Sequence, residues 1–381
     1  MEFGFTQEQN MLRESVRRFM SKECTREYTR ECSDNDRFPI ELYDKMVAQG
    51  WMGIPFPEHL GGSGLGPVEL AIFLEEAGYG WYGAGTSYFS TVILGGYNIM
   101  LYGSDEQKAH FIPRVIRGEC KFAFALSEPN VGSDAAAVEL FAAQDGDHFV
   151  LNGTKMFITN AHVADYIVTV TRTQRQPARK QQGITIFLVD AKSPGLEIRP
   201  LKQMGRSATH ANELSFRDVR VPAANMMGRL DEGWNNLTKG LGVERLSVAM
   251  MYAGTSQAIV DYAVRYAKER RQFGQPISKF QAIQHKLADM QMKADISRLL
   301  GYRVAWMLAE GIPCFREMSI AKLHASESLF AIANDGVQVM GGYGVMKEYE
   351  MEQFFRDSRI GMIGAGSSEI QRSIIAKQMG L

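Results

Sequence analysis

The hydrophobic periodicity of this chain changes twice along its 381 residues. Apolar residues recur every three to four positions in residues 1–120, alternate with polar residues in 121–230, and return to helical spacing in 231–381. Such a change of period separates amphipathic helices from half-buried strands. The sequence therefore predicts an α+β protein with three domains: an N-terminal helical domain, a middle antiparallel β domain and a C-terminal helical domain.

Short sequence patterns predict where several helices begin and end. Thr6 and Gln9 have the spacing of a capping box ahead of an apolar run. The segment PVELAIFLEEAGYG (67–80) opens on proline and closes on glycine. Residues 257–274 and 280–311 carry apolar stripes at helical spacing, and the second stretch is long enough for a bundle helix.

The middle of the chain has the pattern of short strands. Alternating β-branched and polar residues occupy 148–161, 166–173, 183–190 and 214–222, with Gly, Asn, Asp and Pro between them. Strands at this spacing favour an antiparallel sheet.

Composition excludes several classes of protein. The net charge is −1 without a basic block, so nucleic-acid binding has no electrostatic footprint. The four cysteines are scattered without CxxC spacing, which argues against a disulfide framework or a metal site. No stretch approaches the roughly 18 apolar residues of a membrane span, and the first residues lack a signal-peptide pattern. We therefore expect a cytoplasmic protein.

The sharpest local motif is FALSEPNVGSD (124–134), at the start of the β block. Its small, hydroxyl and glycine residues can bring N–H groups and hydroxyls close to a flat polar ring. Alone, it is more typical of an ordinary turn rich in Gly, Asn and Ser. Further motifs follow it in order: LNGTKMFITNA (151–161), ELSFRDVRVPAANMMG (213–228), RRQFGQPISKFQAIQ (270–284), QVMGGYG (338–344), FFRDSRI (354–360) and GSSEIQR (366–372).

Together these motifs closely resemble the acyl-CoA dehydrogenase family, over essentially the whole chain. The resemblance implies a C-terminal four-helix bundle and FAD held between that bundle and the β domain, with help from a neighbouring subunit. It also implies an acyl-CoA substrate, a homotetramer, and electron-transfer flavoprotein as the partner.

The resemblance also assigns roles to single residues. The flavin ring would be lined by Phe124, Leu126 and Ser127 and faced by Phe157, Ile158 and Thr159. The FAD diphosphate and adenosine would be held by Arg270, Phe273, Gln338 and Gly342, with a further flavin contact from Ser367 and Glu369. The acyl-CoA contacts would be Ser133, Arg245 and Gly366.

One position departs from the family pattern. Most members remove the α-proton of the thioester with a glutamate in a Tyr-Glu-Gly-Thr motif, but here Gly364 and Ala365 stand at the Tyr and Glu positions. In the isovaleryl-CoA and long-chain branches the base lies in the segment matching GLGVERLSVAM (240–250), which we expect to begin the first bundle helix. Glu244 matches that base. The other interpretation makes Glu244 a structural residue beside Arg245, although neighbours at i and i+1 do not share a helix face.

The loss of Tyr and Glu leaves volume near the reacting carbons, which suits a branched, cyclic or polar-headed acyl group. Tyr82, Ser87 and Tyr88 are candidates to meet a polar or aromatic acyl end, and ordinary core or surface positions explain them equally well.

Four functions remain open from the sequence. The first is a dehydrogenase that passes electrons to electron-transfer flavoprotein. The second is an enoyl-CoA reductase, since bacterial relatives resembling crotonobetainyl-CoA reductase share the glutamate and the glycine-rich motif. The third eliminates a β-substituent without net oxidation. The fourth is a flavin-binding module without catalysis.

Overall fold

The computed structural model describes residues 4–381, except for the side chains of Lys239 and Leu241. The N-terminal part is helical, as predicted. Its helices are α1 (Gln7–Glu23), α2 (Arg26–Asp34), α3 (Ile40–Ala48), α4 (Pro67–Gly80), α5 (Tyr82–Tyr88), α6 (Asn98–Tyr102) and α7 (Asp105–Ile116). A π-helical stretch, Phe89–Tyr97, joins α5 to α6.

Two predicted helix frames are confirmed. The Thr6 hydroxyl accepts a hydrogen bond from the Gln9 backbone at 3.2 Å, and the Gln9 side chain accepts one from the Thr6 backbone at 3.0 Å. These reciprocal bonds satisfy two N–H groups that the first turn of a helix leaves unpaired. The α4 helix begins at Pro67 and ends at Gly80.

The middle of the chain forms an eight-stranded sheet in the order β6-β7-β3-β2-β4-β5-β8, with β1 paired to β4. Its strands are β1 (Phe122–Ala125), β2 (Phe141–Asp145), β3 (His148–Thr159), β4 (Tyr166–Arg172), β5 (Ile184–Asp190), β6 (Leu196–Pro200), β7 (Ala211–Pro222) and β8 (Met226–Met227). The sheet is mainly antiparallel, and the exceptions correct the prediction: β1 runs parallel to β4, and β2 meets β4 in a single parallel pair. The β1–β4 pairing is parallel because a long connection, not a hairpin, joins these strands.

The C-terminal part is again helical. Its elements are α8 (Gly233–Glu269), the hairpin strands β9 (Arg271–Gln272) and β10 (Gln275–Pro276), α9 (Gln281–Ala309), α10 (Phe315–Met340), α11 (Met351–Ser358) and α12 (Ser368–Gln378). The α8, α9 and α10 helices pack on one another, and α12 lies against α10.

Two expected boundaries of α8 are corrected. The helix begins at Gly233, not near residue 240, so Glu244 lies about three turns inside it. It ends at Glu269 because the Arg270 backbone is extended, and the left-handed conformations of Phe273 and Gly274 then turn the β9–β10 hairpin.

The N-terminal helices pack directly on the bundle. The α4 and α8 helices cross at two glycines: a Cβ on Gly254 would lie 1.9 Å from the Glu75 carbonyl oxygen, and one on Gly78 would lie 2.3 Å from that of Met251. Glycine lets the two backbones approach this closely. The crossing holds the middle of α8 in place, about two to three turns beyond Glu244. Within residues 4–381, no helix is both long and apolar enough to cross a bilayer.

Candidate active site

Glu244 is the carboxylate of the site. It is half-buried on α8, and its Oε2 atom is enclosed without a hydrogen-bond partner in the described structure. Burial raises the pKa of Glu244 to about 7, against the opposing attraction of Arg245 and Lys322. A carboxyl whose pKa lies near neutral pH is suited to exchange protons with a substrate.

Arg245 does not cap this carboxylate. Its side chain is buried, and its Nε atom is enclosed without a hydrogen-bond partner among the described residues. Burial lowers the pKa of Arg245, and the neighbouring Glu244 charge opposes that shift. The two side chains therefore act as separate polar groups, as the i, i+1 spacing predicts.

The segment 361–366 lies at the position of the family's usual base. Ala365 and Gly366 both have positive φ, 55° and 78°. The Gln371 side-chain amide donates to the carbonyls of Ala365 and Gly366, each at 3.0 Å. A Cβ on Gly364 would meet only the Ile360 carbonyl, at 3.7 Å, so the space beside it is open. No side chain of this segment is ionisable.

Lys322 ties the two ends of this segment together. It is fully buried on α10, and its ammonium donates to the carbonyls of Gly361 at 2.9 Å and Gly366 at 2.7 Å. Tyr252, two turns after Glu244 on α8, packs on the same Gly361, whose added Cβ would lie 3.3 Å from the Tyr252 ring. Tyr252 of α8 and Lys322 of α10 therefore both contact the 361–366 segment.

A second buried lysine organises the loop around Ser127. Lys155 on β3 donates to the Leu126 carbonyl at 2.9 Å and to Glu128 at 2.8 Å. Glu128 in turn accepts from the backbones of Glu139 at 2.6 Å and Leu140 at 3.0 Å. A network with these partners rigidifies the loop that carries Leu126 and Ser127.

The end of β3 presents an aromatic ring to the outside. Phe157 is 65% exposed and has a φ of 62°, at a bulge in the pairing of β3 with β7. Thr159 is half-buried at the end of the strand. A non-glycine residue in a left-handed conformation is strained, and such strain is concentrated at functional sites, so Phe157 is a candidate for one.

Ile158 requires a correction. Its side chain is 2% exposed and packs in the core of the sheet, so it cannot face a ligand on the outer surface. The reason is the strand itself, which points successive side chains to opposite faces. Only the Ile158 backbone is available there, and its carbonyl accepts a 2.8 Å hydrogen bond from Asn212.

Other predicted cofactor residues lie on the outer surface of the C-terminal part. Arg270 ends α8, with its guanidinium 5.3 Å from the centre of the Tyr343 ring, and Phe273 is 92% exposed at the hairpin tip. Gln338 and Gly342 are also exposed. Such outward placement is what a contribution to a neighbouring subunit requires.

The remaining predicted residues are more scattered. Phe124 is half-buried on β1, and Ser133 is exposed in the loop after it. Ser367 caps α12 by accepting from the Ile370 backbone at 3.4 Å, and Glu369 is exposed in its first turn. Hydrogen bonding from Ser367 holds the pKa of Glu369 below its ordinary value.

The structure adds two lysines and a tyrosine that the sequence reasoning missed. Lys322 occupies a core phase of α10 together with Met318, Ala325 and Leu329. A lysine at an apolar position of a helical stripe is the signal that would have singled it out. Lys155 likewise stands at an inward position of a strand. No sequence pattern singled out Tyr252, because its packing on Gly361 appears only in the folded structure.

These residues have the chemistry that FAD requires. The exposed Phe157 ring offers a surface for a flat heterocycle, the Ser127 and Thr159 hydroxyls offer hydrogen bonds to its polar edge, and the Arg270 guanidinium matches a diphosphate. The fixed loop at Leu126 and the strained Phe157 backbone are pre-organised features of a binding surface.

Comparisons with known proteins identify the class. Three family models match in order: acyl-CoA dehydrogenase N-terminal domain at residues 6–119, middle domain at 123–219 and C-terminal domain at 231–380. The chain therefore belongs to the acyl-CoA dehydrogenase family, as the motifs predicted, and is an FAD-dependent oxidoreductase with the three-domain fold of that family.

Individual relatives cover the whole chain. It is 40% identical over 380 residues to a probable acyl-CoA dehydrogenase of Bacillus subtilis, covering 100% of both chains. It is 37% identical over 374 residues to a subunit of the caffeyl-CoA reductase–Etf complex of Acetobacterium woodii, covering 98% of both. The butyryl-CoA dehydrogenase structure from Megasphaera elsdenii superposes with a TM-score of 0.95 at 32% identity, covering 100% of both.

Proposed function

We propose that this protein catalyses the α,β-dehydrogenation of an acyl-CoA thioester with Glu244 as the base. The observation that carries the proposal is the enclosed Glu244 carboxyl, with a pKa raised to about 7, in a site where Ala365 supplies no carboxylate. A proton acceptor is indispensable, because the α-proton of a thioester is only weakly acidic.

In this reaction Glu244 removes the proton and its neighbours affect its charge. Glu244 accepts the α-proton on its carboxylate, and the charges of Arg245 and Lys322 oppose the effect of burial on it. FAD, when bound, supplies an acceptor for the hydride that leaves the β-carbon. The enclosed position of Oε2 keeps bulk water away from the base, so its basicity is directed at the substrate.

The cofactor surface extends this proposal. Ser127, Phe157 and Thr159 meet the flavin ring, with Phe124 and Leu126 behind them, and Lys155 holds their loop. Arg270, Phe273, Gln338 and Gly342 reach the FAD of a neighbouring subunit. Ser367 and Glu369 add a further flavin contact, and Ser133, Arg245 and Gly366 meet the acyl-CoA.

The acyl group is branched, cyclic or polar-headed. Support comes from the open space beside Gly364. Tyr82 and Tyr88 are both buried core residues, 6% and 0% exposed, so neither supports a polar or aromatic acyl end.

Support for self-association comes from an exposed apolar stripe on α9. Met292, Ile296, Leu299 and Trp306 are between 38% and 55% exposed and recur at helical spacing along it. An apolar stripe of this kind fits a second copy, and we propose a homotetramer with electron-transfer flavoprotein as the electron acceptor. Light scattering of the purified holoenzyme measures its oligomeric state, and a monomer would contradict the proposed homotetramer.

The experiment that tests the base compares Glu244→Gln with the wild type by anaerobic stopped-flow. Butyryl-, isovaleryl-, cyclohexanecarbonyl- and 3-phenylpropionyl-CoA serve as probes, and bleaching of the flavin is the readout. Loss of the carboxylate should slow bleaching by at least about 10³-fold. The matched control is Glu327→Gln, which removes a surface carboxylate paired with Arg372. Unchanged bleaching in Glu244→Gln would exclude Glu244 as the base.

A second candidate function is the reverse reaction, reduction of an enoyl-CoA with Glu244 as the acid. It is favoured by the likeness to a caffeyl-CoA reductase subunit. The same residues serve both directions by microscopic reversibility. The flavin midpoint potential with and without bound enoyl-CoA separates them, because a reductase needs the reduced flavin to be the stronger donor. Turnover without any electron acceptor would instead support β-elimination.

A further inference from the structure

Lys322 is a fully buried cation whose two hydrogen bonds both go to uncharged groups. Its ammonium donates to the carbonyls of Gly361 and Gly366, and the residue is 0% exposed. Carbonyl oxygens satisfy two of the three N–H donors of a lysine but leave its charge uncompensated. Burying such a charge costs several kcal/mol unless a negative group lies near.

Helix packing shows which part of α8 faces this ammonium. The α8 and α10 helices run parallel: a Cβ on Gly242 would lie 3.0 Å from Met318, and one on Gly336 would lie 3.3 Å from Ile259. The offset between facing residues is therefore 76 at one end and 77 at the other. The same offset places Lys322 opposite residues 245–246 of α8, the two positions that follow Glu244.

The charged and titratable groups around Lys322 come from three elements. Glu244, Arg245 and Tyr252 face it from α8, and Arg206 faces it from the loop after β6. Behind Arg206, the carboxylate of Asp357 accepts a 2.5 Å hydrogen bond from the Arg206 backbone. Glu244 is the carboxylate of this group that faces Lys322.

Lys322 and Glu244 each affect the pKa of the other. Burial lowers the pKa of Lys322, and the attraction of Tyr252 and Glu244 opposes this. Burial likewise raises the pKa of Glu244, and Arg245 and Lys322 limit the rise. Removing the Lys322 charge would therefore leave Glu244 with Arg245 alone.

We propose that Lys322 is a positioning residue of the active site, which joins Gly361 to Gly366 and whose charge favours the carboxylate form of Glu244. The inference rests on the proposed function, in which Glu244 is the base. It assigns to α10 a role in proton transfer without contact between Lys322 and the substrate.

The test is an infrared titration of the holoenzyme, which follows the C=O stretch of a protonated carboxyl and needs no substrate. Subtracting the Glu244→Gln spectra isolates the Glu244 band. In the wild type its midpoint should lie near 7. In Lys322→Met the midpoint should rise by about one pH unit, a tenfold loss of the carboxylate form below it, because the cation is gone. In Lys322→Arg, which keeps the charge, the midpoint should stay near the wild-type value.

Controls separate charge from structure. Lys286→Met removes a surface lysine paired with Asp335 and should leave the midpoint unchanged. Lys322→Gln keeps a donor for the carbonyls without the charge, and should shift the midpoint as Lys322→Met does even if the latter folds poorly. A wild-type midpoint in both uncharged variants, with only thermal stability lowered, would overturn the proposal.

The two hypotheses fail differently. If Glu244→Gln bleaches its flavin at the wild-type rate, the proposed base is wrong, whatever the infrared midpoints show. If Glu244→Gln is inactive and the uncharged Lys322 variants keep the wild-type midpoint, the base stands and the role of Lys322 is wrong.

Discussion

The Lys155 ammonium lies 2.8 Å from the Glu128 carboxylate inside the protein, with the two side chains 0% and 3% exposed. Glu128 also accepts two backbone hydrogen bonds, and Lys155 donates to the Leu126 carbonyl. The pair thus connects the strand that carries Phe157 to the loop that carries Ser127. Its energetic value lies in the complete set of partners, since a buried charge left alone is strongly destabilising.

Breaking this pair should lower both the stability of the protein and its retention of FAD. Lys155→Met leaves Glu128 buried and unpaired, and should lower the free energy of unfolding by about 3–5 kcal/mol. It should also weaken FAD retention, because the Leu126–Ser127 loop loses its anchor. Thermal unfolding and the flavin content of purified protein measure the two effects. The double variant Lys155→Met/Glu128→Leu should recover part of the stability but not the flavin, and full recovery of both would show that the network does not position the loop.

Glu244 should make the protein less stable as the pH rises. Its folded pKa, about 7, lies above the ordinary value of 4.5, so the folded state holds the proton longer than the unfolded state. Its contribution therefore favours folding least above pH 7 and recovers as the pH falls towards 4.5. Glu244→Gln should be more stable than the wild type by about 2 kcal/mol at pH 8, with the gain falling to about a quarter of that at pH 5. Urea unfolding at the two pH values checks this, and a gain independent of pH would contradict it.

The rate of proton removal should follow the same group. Flavin bleaching by a CoA ester should rise with pH through a midpoint near 7, as Glu244 becomes the carboxylate. A profile that stays flat from pH 5.5 to 8.5 would mean that another group accepts the proton.

A carboxylate returned to position 365 should rescue the enzyme. Ala365 already has a φ of 55°, so a glutamate there inherits a backbone conformation that the segment supports. Glu244→Gln/Ala365→Glu should regain about tenfold or more of the bleaching lost in Glu244→Gln. Ala365→Gln in the same background is the control, and equal rates for the two double variants would show that position 365 does not reach the α-carbon.

Gly364 should set the width of the acyl pocket. A Cβ there meets only the Ile360 carbonyl at 3.7 Å, and no positive φ forbids a side chain. Gly364→Tyr should leave the melting temperature within a few degrees while slowing bleaching by cyclohexanecarbonyl-CoA about tenfold more than by butyryl-CoA. An equal effect on both esters would place Gly364 outside the pocket.

Much of the fold was readable from local pattern. Helix α4 begins and ends on the proline and glycine that framed it, and the capping bonds of Thr6 and Gln9 need only neighbours within one turn. Strands β3, β4, β5 and β7 form where the alternation predicted them, although β4 and β5 are buried on both faces because they lie inside the sheet. The start of α8 was missed because Gly240 and Gly242 interrupt its helical pattern, and packing against Asn98 and Met318 compensates for their poor propensity.

The sequence by itself determined the family, the order of the domains and the identity of the one candidate base, because ordered motifs and a missing Glu at position 365 are properties of the chain. Only the tertiary structure decided the environment of that base. The pKa of Glu244 depends on burial and on Lys322, 78 positions further along the chain, and the Ile158 side chain lies inside because its face of the sheet is the one that packs in the core. Burial and charge act through space, so their effects on Glu244 exist only once α8, α10 and the 361–366 segment are packed together.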